Sequence, residues 1–241
     1  MDVSRLAVSE RLICALDTAD VNKAKEIIKE LDGLVSFFKI GITLHLASGL
    51  EIVNLLINSH KRVFLDLKFY DISETVEQAV REVSRLGVNF LTVHGNNAII
   101  QAAVRGKGES DLKILVVTVL TSLDQDDLSE MGFKVPLKDL VLSRVKNALA
   151  HGADGVISSA QEAEIIKQET EGKLLIVSPG IRDADTLVND QKRIMSADAA
   201  IKAGADFLVV GRPITAPQGG KTRREAALSI IEKMEKGFQT L

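Results

Sequence analysis

Short apolar runs and longer amphipathic segments alternate eight times along the chain. The runs are rich in Ile, Leu, Val and Phe, so each predicts a short β-strand. They span residues 12–17, 37–41, 62–68, 89–95, 113–121, 155–160, 174–180 and 207–212. The segments that follow them have helical spacing. In the first, Val21, Ala24, Ile28 and Leu31 form one apolar stripe, and Asp20 can cap the helix.

Eight successive β–α units predict a parallel eight-stranded (β/α)8 TIM barrel of the α/β class, formed as a single domain by residues 1–241. A doubly wound open sheet is the alternative, but it usually has fewer strands and a glycine-rich first turn. Here the first turn reads Leu16-Asp17-Thr18-Ala19. The barrel is therefore the preferred fold.

Composition narrows the classes of partner. The chain has 46% apolar residues, a formal net charge of -3 and no block of like charges, which predicts a small-molecule partner and no nucleic acid. The longest apolar stretch, residues 114–120, is too short to span a bilayer, and no targeting signal is visible, so no membrane association is expected. Cys14 is the only cysteine, which excludes a disulfide or thiolate cluster within the chain and suits the cytoplasm.

Polar and glycine residues gather where the predicted strands end. In a barrel of this type the carboxyl ends of the strands form the active-site rim. The residues at these ends are Asp17, Lys39, Asp66, Lys68, His94, Thr121, Pro179, Gly180, Gly211 and Arg212. The strand bodies, in contrast, are almost entirely apolar.

The third strand ends in Asp-x-Lys-x-x-Asp, which places Asp66 and Lys68 on one side of an extended strand and Asp71 in the next loop. Strands one and two would add Asp17 and Lys39 to the same small area. Because the charges alternate in sign, the lysines should stay protonated beside the carboxylates. The pattern predicts a charged reaction centre above an apolar core.

Structural roles remain open for these residues. Asp71 begins an Asp-x-x-Glu segment that could cap a helix. Asp17 and Lys39 could form an ion pair at the barrel rim, and Lys68 could also be structural. His94 fits a hydrogen-bonded rim residue as well as a catalyst.

A second group of residues indicates a phosphate-binding site. The loops after strands seven and eight commonly bind phosphate in such barrels, and here they contain Arg182, Gly211 and Arg212. Gly211 allows close backbone approach, and an arginine offers a forked donor for phosphate oxygens, although a solvated surface turn is the alternative. The polar segment 183–196 is long for a strand-to-helix connection, so it is a candidate lid in which Gln191 could cover a ligand.

Taken in order along the chain, these motifs resemble those of the orotidine 5′-phosphate decarboxylase family in its bacterial form. They are Leu16-Asp17, Phe38-Lys39-Ile40-Gly41, residues 66–75, Val93-His94-Gly95, Leu120-Thr121-Ser122, Pro179-Gly180-Ile181-Arg182, Asp190-Gln191 and Val210-Gly211-Arg212. Two departures occur within the third motif. The family commonly has Pro-Asn where this chain has Ser73-Glu74, and Tyr70 stands where histidine is frequent.

The resemblance implies a homodimer and a set of site residues. The catalytic array would be Lys39, Asp66, Lys68 and Asp71, with Asp71 entering the site of the neighbouring subunit. Asp17 and Lys39 would hold the ribose and Thr121 the pyrimidine. The substrate-binding residues implied in this way are Asp17, Lys39, Thr75, Thr121, Pro179, Arg182, Gln191, Gly211 and Arg212.

The resemblance also implies an activity, the cofactor-independent decarboxylation of orotidine 5′-phosphate to uridine 5′-phosphate in pyrimidine biosynthesis. Lys68 would supply the proton. Metal-dependent sugar-phosphate enzymes of the same superfamily are one alternative, but they carry Glu where this chain has Lys39, and a cation there opposes Mg²⁺. A non-catalytic sensor of phosphate ligands is the other, since a fold alone does not determine function.

Overall fold

Eight parallel strands close into a barrel in chain order, and the first strand pairs with the eighth. The computed structural model describes residues 3–182 and 193–240. The strands are β1 Leu12–Ala15, β2 Phe37–Gly41, β3 Arg62–Phe69, β4 Phe90–Val93, β5 Lys113–Val117, β6 Gly155–Ile157, β7 Leu175–Ser178 and β8 Phe207–Val210. The predicted (β/α)8 barrel is confirmed.

Helices surround the barrel, and the connections after β2, β5 and β8 each contain two of them. The α-helices are α1 Val21–Glu30, α2 Ile42–Ser48, α3 Glu51–Asn58, α4 Ser73–Arg85, α5 Asn97–Lys107, α6 Gln125–Glu130, α7 Leu137–Ala150, α8 Ala163–Thr170, α9 Ala197–Lys202, α10 Arg212–Thr215 and α11 Arg223–Phe238. Short 3₁₀ helices span Val3–Arg5, Val8–Arg11 and Ala160–Glu162. Within residues 3–182 and 193–240, no helix is both long and apolar enough to cross a bilayer.

Most strands end earlier than predicted. The runs predicted at 12–17 and 113–121 stop pairing at Ala15 and Val117, and β8 stops at Val210. The chain leaves the ladder at these points to form the rim connections, which contain Asp17, Thr121 and Arg212. The predicted strands therefore extended too far, into the rim residues that form the candidate site.

The barrel interior is filled by a layer of phenylalanine rings. The centroids of Phe37 and Phe90 are 4.9 Å apart, and those of Phe90 and Phe207 are 5.2 Å apart. Because side chains alternate along a strand, the residue two positions later points to the same interior. In β2 that residue is Lys39, and in β4 it is Thr92. The aromatic layer thus forms the floor beneath a polar layer at the carboxyl rim.

The opposite rim contains a repeated side-chain contact that the periodicity analysis missed. A Gly-(Val/Ala)-(Asn/Asp) triplet precedes β4, β6 and β8, and its last residue is Asn89, Asp154 or Asp206. Each of these side chains accepts a hydrogen bond from the backbone N–H of the second residue of the preceding strand, at 2.9, 2.9 and 2.8 Å respectively. The triplets therefore connect strand pairs at the amino end of the barrel.

Substitutions of Asp154 should separate this backbone contact from its ion pairs with Lys107 and Lys113. Asp154→Ala leaves the N–H of Ile114 without a partner and should lower the free energy of unfolding by about 2–3 kcal/mol. Asp154→Asn keeps an acceptor oxygen, as Asn89 does naturally, and should cost about 1 kcal/mol. Urea denaturation measures both values. Equal losses in the two variants would contradict a role for the backbone contact.

Candidate active site

A row of alternating charges crosses the carboxyl rim from β1 to β3. The Nζ atom of Lys39 lies 2.8 Å from Oδ1 of Asp17 and 3.3 Å from Oδ2 of Asp66. The other carboxylate oxygen of Asp66 lies 2.8 Å from Nζ of Lys68. The strand order predicted from the sequence brings these four side chains together.

Burial and neighbouring charges shift the pKa values of Lys39 and Asp66 in opposite directions. Burial alone would lower the pKa of the Lys39 ammonium, but attraction from Asp66 and Asp17 outweighs it and raises the pKa above its ordinary value. Burial alone would raise the pKa of the Asp66 carboxyl, but Lys39 and Lys68 hold it below its ordinary value. Both groups are therefore ionised at neutral pH.

The backbone of β3 is irregular at this point. Leu65 pairs with Leu91 and Phe69 pairs with Val93, so three residues of β3 lie opposite a single residue of β4. Within this bulge Lys68 has a φ of 49°, a left-handed conformation that non-glycine residues rarely adopt. A regular extended strand was expected here. The bulge takes residues 66–68 out of regular pairing, and the Nζ atom of Lys68 lies 2.8 Å from Oδ1 of Asp66.

The single residue opposite the bulge is Thr92, which sequence reasoning missed. Its hydroxyl donates a hydrogen bond to Oδ1 of Asp66 at 2.9 Å and accepts one from the backbone N–H of Lys68 at 3.0 Å. The side chain is fully buried. A polar residue inside the apolar strand Phe90–Val93 was the available signal.

A cavity of about 400 Å³ opens above the charge row. Nine of the predicted site residues line it: Asp17, Lys39, Asp66, Lys68, Thr121, Pro179, Arg182, Gly211 and Arg212. Leu120, Ser122 and Ile157 contribute to the same wall. The cavity therefore joins the charge row to the loops in which phosphate binding was predicted. Gln191 lies outside the described residues.

Two glycines, Gly180 and Gly211, line the cavity. Gly180 has a φ of 78°, which allows the turn that leads from β7 to Arg182. A side chain at Gly211 would place its Cβ only 3.4 Å from an oxygen of Asp17. A larger residue at 211 would therefore crowd the charge row. Gly211 directly precedes Arg212 and Gly180 lies close in sequence to Arg182, and both arginines line the same cavity.

Asp71 and Thr75 do not line the cavity of their own chain. Both are exposed, and Asp71 accepts a hydrogen bond from the N–H of Ile72 at 2.6 Å. Ile72 is the N-cap residue of α4, and no side chain caps that helix. The alternative in which Asp71 caps the helix through an Asp-x-x-Glu box is therefore wrong, because α4 begins one residue too late for it.

The other groups with catalytic or metal-binding chemistry lie apart from the cavity. Burial, followed by the charges of Lys68 and Arg144, lowers the pKa of His94, whose ring packs edge-on against Tyr70. Burial raises the pKa of the Cys14 thiol to about 12. In the described part of the chain, no cluster of three or more His, Cys, Asp or Glu side chains could hold a metal ion. His94 is therefore an uncharged rim residue at neutral pH.

A buried ion pair supports the cavity wall on the side of Thr121. Arg193 pairs with Glu162 and donates to the carbonyl oxygens of Val119 and Leu120 at 2.9 and 3.1 Å. This pair was not predicted. The candidate lid at 183–196 falls largely outside the described residues, and its last part, beginning at Arg193, is tied to the loop after β5.

The pKa shift of Asp66 leads to a prediction about stability. Because the folded-state pKa lies below the unfolded value, the contribution of Asp66 to stability is present above about pH 4 and is lost as the pH falls through the folded pKa. The difference in free energy of unfolding between wild type and Asp66→Asn should be constant from pH 7 to about pH 5 and should narrow below about pH 4. Urea denaturation at each pH measures it. A difference that does not change with pH would show that Asp66 is not stabilised as a carboxylate.

Known proteins are similar to this chain in sequence and in architecture. The model of the family described as "Orotidine 5'-phosphate decarboxylase / HUMPS family" matches residues 10–227 of this chain. Proteins named orotidine 5′-phosphate decarboxylase from Nitrobacter winogradskyi and Methylococcus capsulatus are each 49% identical to this chain, over 225 and 211 residues. These alignments cover 93% and 87% of this chain, and 92% and 86% of the relatives. The crystal structure of orotidine 5′-phosphate decarboxylase from Lactobacillus acidophilus is 32% identical, with a TM-score of 0.81, and the match covers 93% of this chain and 99% of that one. This chain therefore belongs to the orotidine 5′-phosphate decarboxylase / HUMPS family.

Proposed function

We propose that this protein decarboxylates orotidine 5′-phosphate to uridine 5′-phosphate and carbon dioxide, without a cofactor, in pyrimidine biosynthesis. The observation that carries the proposal is the carboxylate of Asp66 held between the ammonium groups of Lys39 and Lys68 at the cavity. Family membership supports the same reaction. The proposal includes a cytoplasmic enzyme in which residues 1–241 form one catalytic domain.

Lys68 can provide the positive charge and the proton that the reaction requires. When the bond between the pyrimidine ring and its carboxylate breaks, the electron pair stays on the ring carbon, and that carbanion must be stabilised and protonated. The Lys68 ammonium supplies positive charge as the carbanion forms and then transfers a proton to the carbon. Asp66 holds Lys68 in place at 2.8 Å and lies close to the departing carboxylate.

Substrate binding is assigned to the rest of the cavity lining. Asp17 and Lys39 would hold the ribose, and Thr121 the pyrimidine. The phosphate region would comprise Arg182, Gly211 and Arg212, together with Gln191, which lies outside the described residues. Pro179 would be a further substrate-binding residue. Because these contacts lie far from the reacting carbon, their binding energy can contribute to orientation and closure around the ring.

Asp71 and Thr75 require a second subunit if they are to reach a cavity. The surface beside Asp71 is unusually apolar, since Tyr70 is 67% exposed and Ile72 is 71% exposed. Leu46 on helix α2, in the connection between β2 and β3, is 79% exposed. Exposed apolar side chains grouped around a polar site are typical of protein interfaces. We therefore place a homodimer interface on this face, with Asp71 and Thr75 completing the partner's site.

Addition of orotidine 5′-phosphate should cause loss of its ultraviolet absorbance at the same rate with and without excess EDTA. The reason is that the Lys39 ammonium would repel a divalent cation, which disfavours the alternative of a metal-dependent sugar-phosphate enzyme. Absence of turnover would favour the sensor alternative. Loss of turnover in EDTA with recovery in Mg²⁺ would contradict the cofactor-free mechanism.

Lys68→Ala should lower kcat/KM by at least about a thousandfold, equivalent to about 4 kcal/mol of transition-state stabilisation, because the proton donor is lost. Lys146→Ala is the matched control, since Lys146 is an exposed lysine on α7 that pairs with Glu169 and does not line the cavity. The control should retain wild-type kinetics. A Lys68→Ala enzyme within tenfold of wild type would remove Lys68 from its proposed role.

Mixing inactive Lys68→Ala and Asp71→Ala proteins, after dissociation and reassociation, should restore activity. About half of the dimers would be mixed, and one of their two sites would contain neither mutation, so about a quarter of all sites should be native. A mixture of Lys68→Ala with Lys39→Ala is the control, because both residues belong to the same subunit's site and no native site can form. Recovery no greater than in this control, despite verified subunit exchange, would confine Asp71 to its own chain.

A further inference from the structure

We infer that Thr92 is a positioning residue for the reaction, because its hydroxyl holds both the backbone of Lys68 and the carboxylate of Asp66 in their working arrangement. The inference rests on the proposed function and deepens it. Thr92 is fully buried and does not line the cavity, so it can affect the substrate only through these two neighbours.

The β3 bulge creates the need for such a contact. In a regular parallel ladder the N–H of Lys68 would bond to a carbonyl oxygen of the next strand. Here three residues of β3 face one residue of β4, and the N–H instead donates to the hydroxyl of Thr92 at 3.0 Å. Lys68 also has a φ of 49°, a conformation that persists only where surrounding contacts impose it.

The hydrogen-bond directions around Thr92 follow from chemistry alone. A hydroxyl has one proton to donate, and a backbone N–H can only donate, so the hydroxyl must be the acceptor from Lys68. Its proton is then available for Asp66, whose Oδ1 lies 2.9 Å away. This arrangement suits an ionised Asp66, which can only accept. Thr92 therefore connects the orientation of Lys68 to the charge of Asp66.

Removal of the hydroxyl should disturb catalysis more than binding. In Thr92→Val, which keeps the side-chain shape, the Lys68 N–H loses its acceptor and Asp66 loses a donor. Lys68 can then relax from its left-handed conformation, whereas Asp17, Arg182 and Arg212 still line the cavity. We expect kcat to fall at least tenfold with KM within threefold of wild type. Thr92→Ser restores the hydroxyl and should return kcat to within threefold.

The pH profile supplies a readout that a loss of packing would not produce. Loss of a donor to a carboxylate raises its pKa. The acidic limb of log kcat against pH should therefore move to higher pH in Thr92→Val relative to wild type. The substrate is the same in both enzymes, so its own titration cancels in the comparison.

The experiment compares steady-state kinetics of wild type, Thr92→Val and Thr92→Ser with the control Thr170→Val. Thr170 is equally buried, but its hydroxyl donates to the carbonyl of Ile166 in α8, away from the cavity. The control should keep wild-type kcat. If Thr92→Val does not fold, Thr92→Ala and Thr92→Ser form a second pair that differs by the hydroxyl alone, with an expected tenfold difference in kcat.

The outcomes separate this inference from the proposed activity. An inactive wild-type enzyme would contradict the decarboxylase function itself. An active wild type with kcat unchanged in Thr92→Val, or with equal losses in the valine and serine variants, would overturn the positioning role alone. A loss confined to the variants without the hydroxyl, accompanied by the shifted acidic limb, supports it.

Discussion

The carboxylate of Asp66 is the group on which the arrangement of the site depends. It receives Lys39 from β2, Lys68 from its own strand and the hydroxyl of Thr92 from β4. Three neighbouring strands therefore meet at one buried anion. Loss of one partner of such a pair leaves an uncompensated charge, which typically costs about 3–5 kcal/mol. Replacement of a buried ion pair by well-packed apolar residues is often neutral or stabilising, so the role of these pairs is to determine which positions the lysines occupy.

The phenylalanine layer beneath the charges determines how strongly they interact. Phe37, Phe64 and Phe90 pack edge-on or tilted within the barrel, and they exclude water from below. Opposite charges attract more strongly when water is excluded on one side. The same side-chain alternation that places rings in the lower interior places Lys39 and Thr92 above them. The same strands therefore place an aromatic ring in the core and, two residues later, a polar side chain at the site.

The path of the backbone explains why Asp71 lies outside the cavity of its own chain. Asp71 lies beyond the end of β3, where the chain turns outward to begin α4, so it cannot return to the cavity of its own chain as Asp66 does. Its apolar neighbours Tyr70 and Ile72 are exposed in the isolated chain. A second subunit would bury these side chains and place a further carboxylate near Lys68. The proposed dimer therefore accounts for both features with one contact.

Local patterns in the sequence were sufficient to predict the barrel and the four charged side chains that meet at its rim. Eight apolar runs separated by amphipathic segments permit few topologies, and parallel closure places all their carboxyl ends at one rim. Asp17, Lys39, Asp66 and Lys68 could be found because polar residues at the ends of apolar strands stand out. The roles of Thr92 and of the Glu162–Arg193 pair were decided only by the tertiary structure. These contacts depend on a bulge and on loops that join residues distant in sequence, and neither leaves a periodic signal. Hydrophobic periodicity indicates which face of an element is buried. Hydrogen-bond partners across strands also depend on the register and on the bulge in β3, which periodicity alone does not specify.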